Sequence, residues 1–198
     1  IDGGTQTEVD AKRQKVSFAS SLRSILRHDP DVVMLGEVRD QETAELSVRA
    51  ALTGHLVLST LHTNTAVGAV TRLIDLGVDY FLVASVLRLV AAQRLVRRLC
   101  PHCRREGSIL ETEAHSLRDA SLAGKPCWKP SGCLYCAGRG YAGRTGLFEI
   151  VPIGAAEAEI ISARSRSDSV EAELNKRARA AGQASLLANG IEKILAGD

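Results

Sequence analysis

From Ser17 the apolar residues line one side of a helix. Phe18, Leu22, Ile25 and Leu26 recur at i, i+4, i+7 and i+8, the spacing of a single buried face. Ser17 stands at the N-cap position. Asp29-Pro30 ends the segment, because the residue before proline avoids helical geometry. The pattern then changes. Val32-Val33-Met34-Leu35 is apolar without alternation and closes in Gly36-Glu37, which predicts a strand buried on both faces, as in a parallel sheet. Asp40 caps a predicted helix from Gln41 to about Thr53, stopped by Gly54. Leu56-Val57-Leu58 reads as a second buried strand ending in Ser59-Thr60, and a further helix fits Ala66 to Leu76. A long helical region is expected from Phe81 to Leu99. Helix, strand, helix, strand, helix is the alternation of an α/β fold.

The pattern breaks at Cys100. From there to about Gly143 the chain is rich in Cys, Gly, Pro and charge, with little periodicity. Thr145 to Val151 reads as a strand, and helical periodicity returns from Ala155. Asp168 with Glu171 resembles a capping-box start, Gly182 marks a stop, and a last helix reaches Leu195. Residues 1 to 15 are polar and are expected as a loop or edge strand. Three regions follow: 1–99, 100–143 and 144–198.

Composition adds limits. The chain is 45% hydrophobic but only 4% aromatic, so aliphatic side chains must fill the core. A net charge of +2 gives no argument for nucleic acid or an acidic membrane surface. The longest apolar stretch runs from Tyr80 to Leu87, far short of the roughly 20 residues a membrane helix needs. No signal peptide is evident at the start, and the absence of an initial Met suggests a piece of a longer protein.

Five cysteines change the picture more. Cys100-Pro-His-Cys103 and Cys133-Leu-Tyr-Cys136 are two CxxC knuckles. Each can offer two thiolates to one ion, and together they complete a tetrahedron with no position left for water, the mark of a structural zinc site. Soft thiolates suit zinc or an iron–sulfur centre rather than hard cations. Reduced thiols or redox pairs without metal are the alternatives. Residues 104–132 separate the knuckles, an unusually long spacing that is harmless if the insert folds on itself. His102 is an alternative ligand, and Cys127 reads as a spare thiol.

In the α/β part, Glu37 follows a predicted buried strand, where parallel sheets place their ligands. A carboxylate there fits the acid that acts on water or Mg²⁺ in phosphoryl transfer, although Gly36 stands where many such enzymes have Asp. The alternative is an ion pair with Arg39. His55 and His62 flank the second strand, and His62 lies near Glu37 if the two strands are neighbours. Ser59, Thr60, Thr63 and Asn64 surround it with polar groups. Arg23 and Arg27 share one face of the first helix, where they could bind phosphate or form a solvated basic face. No GxxxxGK[ST] loop occurs in the sequence.

Together these segments resemble the ATPases of type II secretion and type IV pilus assembly. Phe18 to Asp40 is similar to that family's Walker B region, and Leu52 to Asn64 to its His box. Ala92 to Cys103, Cys133 to Cys136 and Gly140 to Ile150 are similar to its tetracysteine lobe and return strand. The resemblance implies an α/β fold: a partial RecA-like P-loop NTPase core, a tetracysteine zinc lobe and a C-terminal helical region. It also implies a homohexameric motor that hydrolyses Mg-ATP in the cytoplasm, docked to inner-membrane platform proteins, with no direct nucleic-acid partner. The family's phosphate-binding loop and Asp box lie upstream of the Walker B region. A C-terminal part of the motor, inactive alone, is therefore expected. By the resemblance, Glu37 polarises the attacking water or supports Mg²⁺, and His62 with His55 contacts the phosphate end or transmits its state. Arg23, Arg27 and Arg39 are candidates for charge stabilisation across subunits. The tetracysteine lobe favours secretion and pilus-extension ATPases over retraction ATPases. A zinc-stapled interaction module and a DNA-linked secretion motor are the competing readings.

Overall fold

The computed structural model describes residues 4–7, 17–163 and 167–197, with 167–169 described in backbone only. Most of the segment 1–15 lies outside the described residues. The chain forms two compact units, Ile1–Val90 with Pro152–Arg177, and Ala91–Val151 with Ala178–Asp198.

In the first unit, helix α1 (Phe18–Ile25) starts at Ser17, whose hydroxyl accepts from the Ser20 amide while the Ser20 hydroxyl accepts from the Ser17 amide. This reciprocal cap satisfies donors that the first helical turn leaves unpaired. The stripe read from the sequence puts Leu22 wholly in the core. A short 3₁₀ turn (Leu26–His28) and Asp29 in the left-handed region close the segment before Pro30. Strand β1 (Val32–Leu35) runs parallel to β2 (Leu56–Ser59), with Val32 opposite Leu56 and Leu35 opposite Ser59. Between them, α2 (Gln41–Leu52) begins where Asp40 accepts from the Thr43 amide at 2.8 Å. Helices α3 (Gly68–Asp75) and α4 (Tyr80–Val86) follow.

Two expectations fail here. The strand pair is not buried on both faces. Val33 and Leu35 are buried, whereas Val32, Met34, Leu56 and Leu58 are exposed. Continuous apolar sequence fits a two-sided core, but within this chain only one side of the pair is covered. The long helix over 81–99 is also absent. Helix α4 stops at Val86, Leu87 is extended, and Leu89–Leu99 forms strand β3. A distant strand supplies its backbone partners, and that pairing overrides local helical preference.

Strand β3 carries the chain into the second unit, where it pairs with β6 (Tyr141–Pro152). The return strand is thus longer than the stretch expected from sequence. Between the two lie β4 (Arg105–Ser108), α5 (Glu111–Ser116) and β5 (Pro126–Lys129), with β4 and β5 antiparallel. These elements make their own small core of Ile109, Ala114, Leu122 and Cys127, to which Leu117, Ile191 and Ile194 add. Cys127 is therefore a core side chain. The last two contacts come from α8 (Leu186–Ala196), which packs on β5.

Helices α6 (Ala155–Ser162) and α7 (Ser167–Ala180) precede it, and α6 packs on α4 in the first unit. Helix α7 begins at Ser167, before the anticipated cap Asp168. The Asp168 side chain lies outside the described residues. Glu171 instead accepts the Thr65 hydroxyl at 2.8 Å. Gly182, at positive φ, follows the helix end as expected.

Candidate functional site

The parallel register carries Gly36-Glu37 and Thr60-Leu61-His62 out at the same end of the strand pair. Two bonds tie these exits together. The Val38 amide donates to the Thr60 carbonyl at 3.0 Å, and the Thr60 hydroxyl donates to the Gly36 carbonyl at 2.6 Å. Glu37 and His62 consequently meet. His62 Nε2 lies 3.2 Å from Glu37 Oε2, and Arg39 Nη2 lies 2.5 Å from Oε1. An ionised carboxylate only accepts, so Nε2 carries the proton of that contact. The Arg39 hydrogen bond holds the Glu37 carboxyl below its ordinary value. Partial burial opposes this, and His62 adds a smaller lowering. The Glu37 side chain is 18% exposed, against 67% for Arg39 and 85% for His62. The acid therefore sits inward, with its two basic partners on the outside.

The other candidates lie elsewhere. His55 occupies the opposite end of β2, where Nδ1 is 3.0 Å from the Ala50 carbonyl and 3.0 Å from the Thr53 hydroxyl. Those contacts hold the end of α2 against the start of the strand and do not bring His55 to Glu37. Arg23 pairs with Glu42 at 2.5 Å. Arg27 is exposed on the 3₁₀ turn.

Sequence reasoning missed one group that steadies this loop. Thr65 donates its hydroxyl to Glu171 and accepts the Gly68 amide at 3.1 Å, so the start of α3 is tied to α7. No local pattern links residues so far apart.

The second site is built by two turns. After β3, the Cys100 amide donates to the Gly140 carbonyl, and the Cys103 and Arg104 amides turn back onto the Cys100 carbonyl. In the second knuckle, the Gly138 amide closes onto the Cys133 carbonyl at 2.9 Å. Gly132 is essential to the close approach. It has φ of +121°, and a Cβ there would meet the Gly138 carbonyl oxygen at 2.7 Å. All four sulfurs lie within 4.8 Å of one another. The pairs Cys100–Cys133, Cys103–Cys136 and Cys133–Cys136 are 3.9, 3.8 and 3.8 Å apart. A tetrahedron with metal–sulfur bonds of about 2.3 Å has edges of about 3.8 Å, so the thiols fit one metal ion.

The local amides prepare the sulfurs for that role. Gly132 donates to Cys103 Sγ, while Cys133 and Gly140 donate to Cys136 Sγ. Burial pushes Cys136 up, but its two amides, helped by the neighbouring thiols, bring it down to about 6. At Cys103 burial prevails, with the surrounding thiols adding to it, and raises the thiol to about 11. His102 does not join the cluster. Its ring packs at a tilt against Tyr135, with centroids 4.2 Å apart.

An acid and a histidine at the exit of a parallel strand pair, in a chain that also carries a four-thiol lobe, define the class. The chain belongs to the type II/IV secretion system protein family, which it matches over residues 1–198. It is 46% identical over 197 residues to the type II secretion system protein E of Aeromonas hydrophila, covering 100% of this chain and 38% of that protein. It is 43% identical over 187 residues to the type IV pilus assembly ATPase PilB of Myxococcus xanthus, covering 92% of this chain and 32% of the relative. The fold is that of the Legionella pneumophila ATPase DotB, with a TM-score of 0.63 at 20% identity over 95% of this chain and 41% of that one. The chain thus spans well under half the length of these proteins.

Proposed function

We propose that this chain is the C-terminal part of a hexameric cytoplasmic motor ATPase that drives type II protein secretion. The observation that carries the reading is the Glu37–His62 contact at the strand exits of a chain in this family. Phosphoryl transfer needs a group that orients or deprotonates the attacking water. Glu37 is an inward carboxylate with solvent on one flank, suited to accept that proton. His62 holds the second carboxylate oxygen and faces solvent, where the terminal phosphate of ATP would arrive. His55 steadies the far end of the same strand. Arg23 and Arg27 remain candidates for contacts across the ring.

Among the described residues, Glu37 already bonds Arg39 and His62, and Asp40 caps α2. Neither carboxylate is therefore open to Mg²⁺ in this arrangement, and the ion would arrive bound to the phosphates of ATP. Zinc suits the four thiols, and Cys100, Cys103, Cys133 and Cys136 would hold it. Bound there, it supplies a structural cross-link between the two knuckles.

The family supports a motor that docks on inner-membrane platform proteins, and no helix of the described residues is long and apolar enough to cross a membrane. Type IV pilus extension is the second reading, favoured by the similarity to PilB.

The test uses the intact protein. Glu37→Gln should keep ATP binding while turnover falls by about 100-fold or more. Near-normal hydrolysis in that variant would refute the assignment. Metal analysis should find about one zinc per chain.

A further inference from the structure

Both oxygens of the Glu37 carboxylate are engaged by its own chain, Oε1 by Arg39 at 2.5 Å and Oε2 by His62 at 3.2 Å. The backbone on either side is fixed. The Val38 amide is bonded to Thr60, and Asp40 is committed to the first turn of α2 through the Thr43 amide and hydroxyl. What remains free to move is the Arg39 side chain itself, 67% exposed.

We propose that Arg39 is a releasable clamp on Glu37: its guanidinium holds the carboxylate while the site is empty and exchanges it for a phosphoryl oxygen when nucleotide arrives. This rests on the reading of Glu37 as the residue that acts on water. Arg39 then acts on Glu37 and on the nucleotide at the site of its own chain rather than as a charge reaching into a neighbouring subunit.

Three physical points carry the exchange. A guanidinium presents the same planar fork to carboxylate and to phosphate, so one partner can replace the other without a change of geometry. An exposed ion pair is held weakly in water, so a multiply charged anion competes well for it. An incoming anion also meets Arg39 and His62 first, because both lie outside the acid they cover. Release has a chemical result. Arg39 is the main cause of the lowered Glu37 carboxyl, and a carboxylate freed of it is a stronger base for the attacking water.

The experiment compares Arg39→Ala, Arg39→Lys and Glu37→Gln in the intact protein with a carboxyl-carbon NMR titration of Glu37 in this chain. In Arg39→Ala the KM for ATP should rise by about threefold to tenfold, with kcat at or above that of the unsubstituted protein. Arg39→Lys, which keeps the charge and loses the fork, should fall between the two in KM. The Glu37 carboxyl should titrate at higher pH in Arg39→Ala. It should also move up when inorganic phosphate is added to the unsubstituted chain, and move less in Arg39→Ala. A kcat below that of the unsubstituted protein, an unchanged KM, or a Glu37 titration indifferent to Arg39 would each overturn the clamp. Turnover that survives Glu37→Gln would overturn the underlying reading of Glu37 instead, whatever Arg39 does.

Discussion

The Glu37 cluster and the four-thiol lobe gather polar side chains by opposite means. Glu37 and His62 are brought together by parallel pairing of two strands with a helix between them, and their partners face solvent. The sulfurs are brought together by two short turns, and Cys100 and Cys136 are almost wholly buried. In the first case the contacts are ion pairs and hydrogen bonds whose basic partners are exposed. In the second, every donor atom points at one centre and local amides support the sulfurs. The proposed ligand-meeting site keeps its basic side chains at the surface. A site that ties the chain together leaves no position open.

The contrast can be broken most forcefully at the sulfurs. If the four thiols hold zinc as proposed, Cys136→Ala, or a strong chelator, should release it and unfold the lobe, because structural zinc contributes on the order of 10 kcal/mol to folding. Metal content and amide exchange resolved along the sequence would check this. Unchanged protection over residues 100–143 would place the lobe's stability elsewhere. Leu22→Ala is the counterpart in the first unit. Leu22 is 0% exposed, so its truncation should cost about 2–5 kcal/mol and leave metal content unchanged, as followed by denaturant unfolding.

Asp40→Ala removes the cap of α2 beside the Glu37 cluster and should cost about 1 kcal/mol, measurable by the same unfolding curve. Equal stability in that variant would show the α2 start to be held by packing alone.

The smallest effect is a pH dependence in the second unit. The Lys129 hydrogen bond, with help from the Leu110 amide, lowers the Glu113 carboxyl from 4.5. A lowered native value stabilises the fold above the ordinary value, and that gain is lost as pH falls below 4.5 through the lowered one. Lys129→Met should flatten this part of the stability–pH curve. An unchanged slope would assign it to other carboxyls.

Local chemistry was legible in the sequence. Ser17 and Asp40 announce helix starts because a cap and its amide lie three residues apart. The knuckles announce themselves because each turn carries two ligands. Glu37, Arg39 and His62 were legible as a group once the two strands were taken as neighbours. Long-range pairing was not. Leu95, Val96 and Leu99 suit a helical stripe as well as a strand, and only β6 decides between them. Apolar β1 did not reveal that one of its faces is open, since burial depends on what lies across from it. Glu171 looked like a capping residue because its partner Thr65 is remote in sequence.

The cross-tie of Thr60 to Gly36 and Val38 has a mechanical consequence. With the Thr60 carbonyl and hydroxyl both bonded to the neighbouring strand's exit, the backbones bearing Glu37 and His62 travel as one piece. A push on the histidine loop is then delivered to the acid without slack. In hydrogen exchange, the buried Val38 amide becomes the reporter of that join. Its protection should track the global stability of the first unit, while the exposed side chains around it rearrange freely.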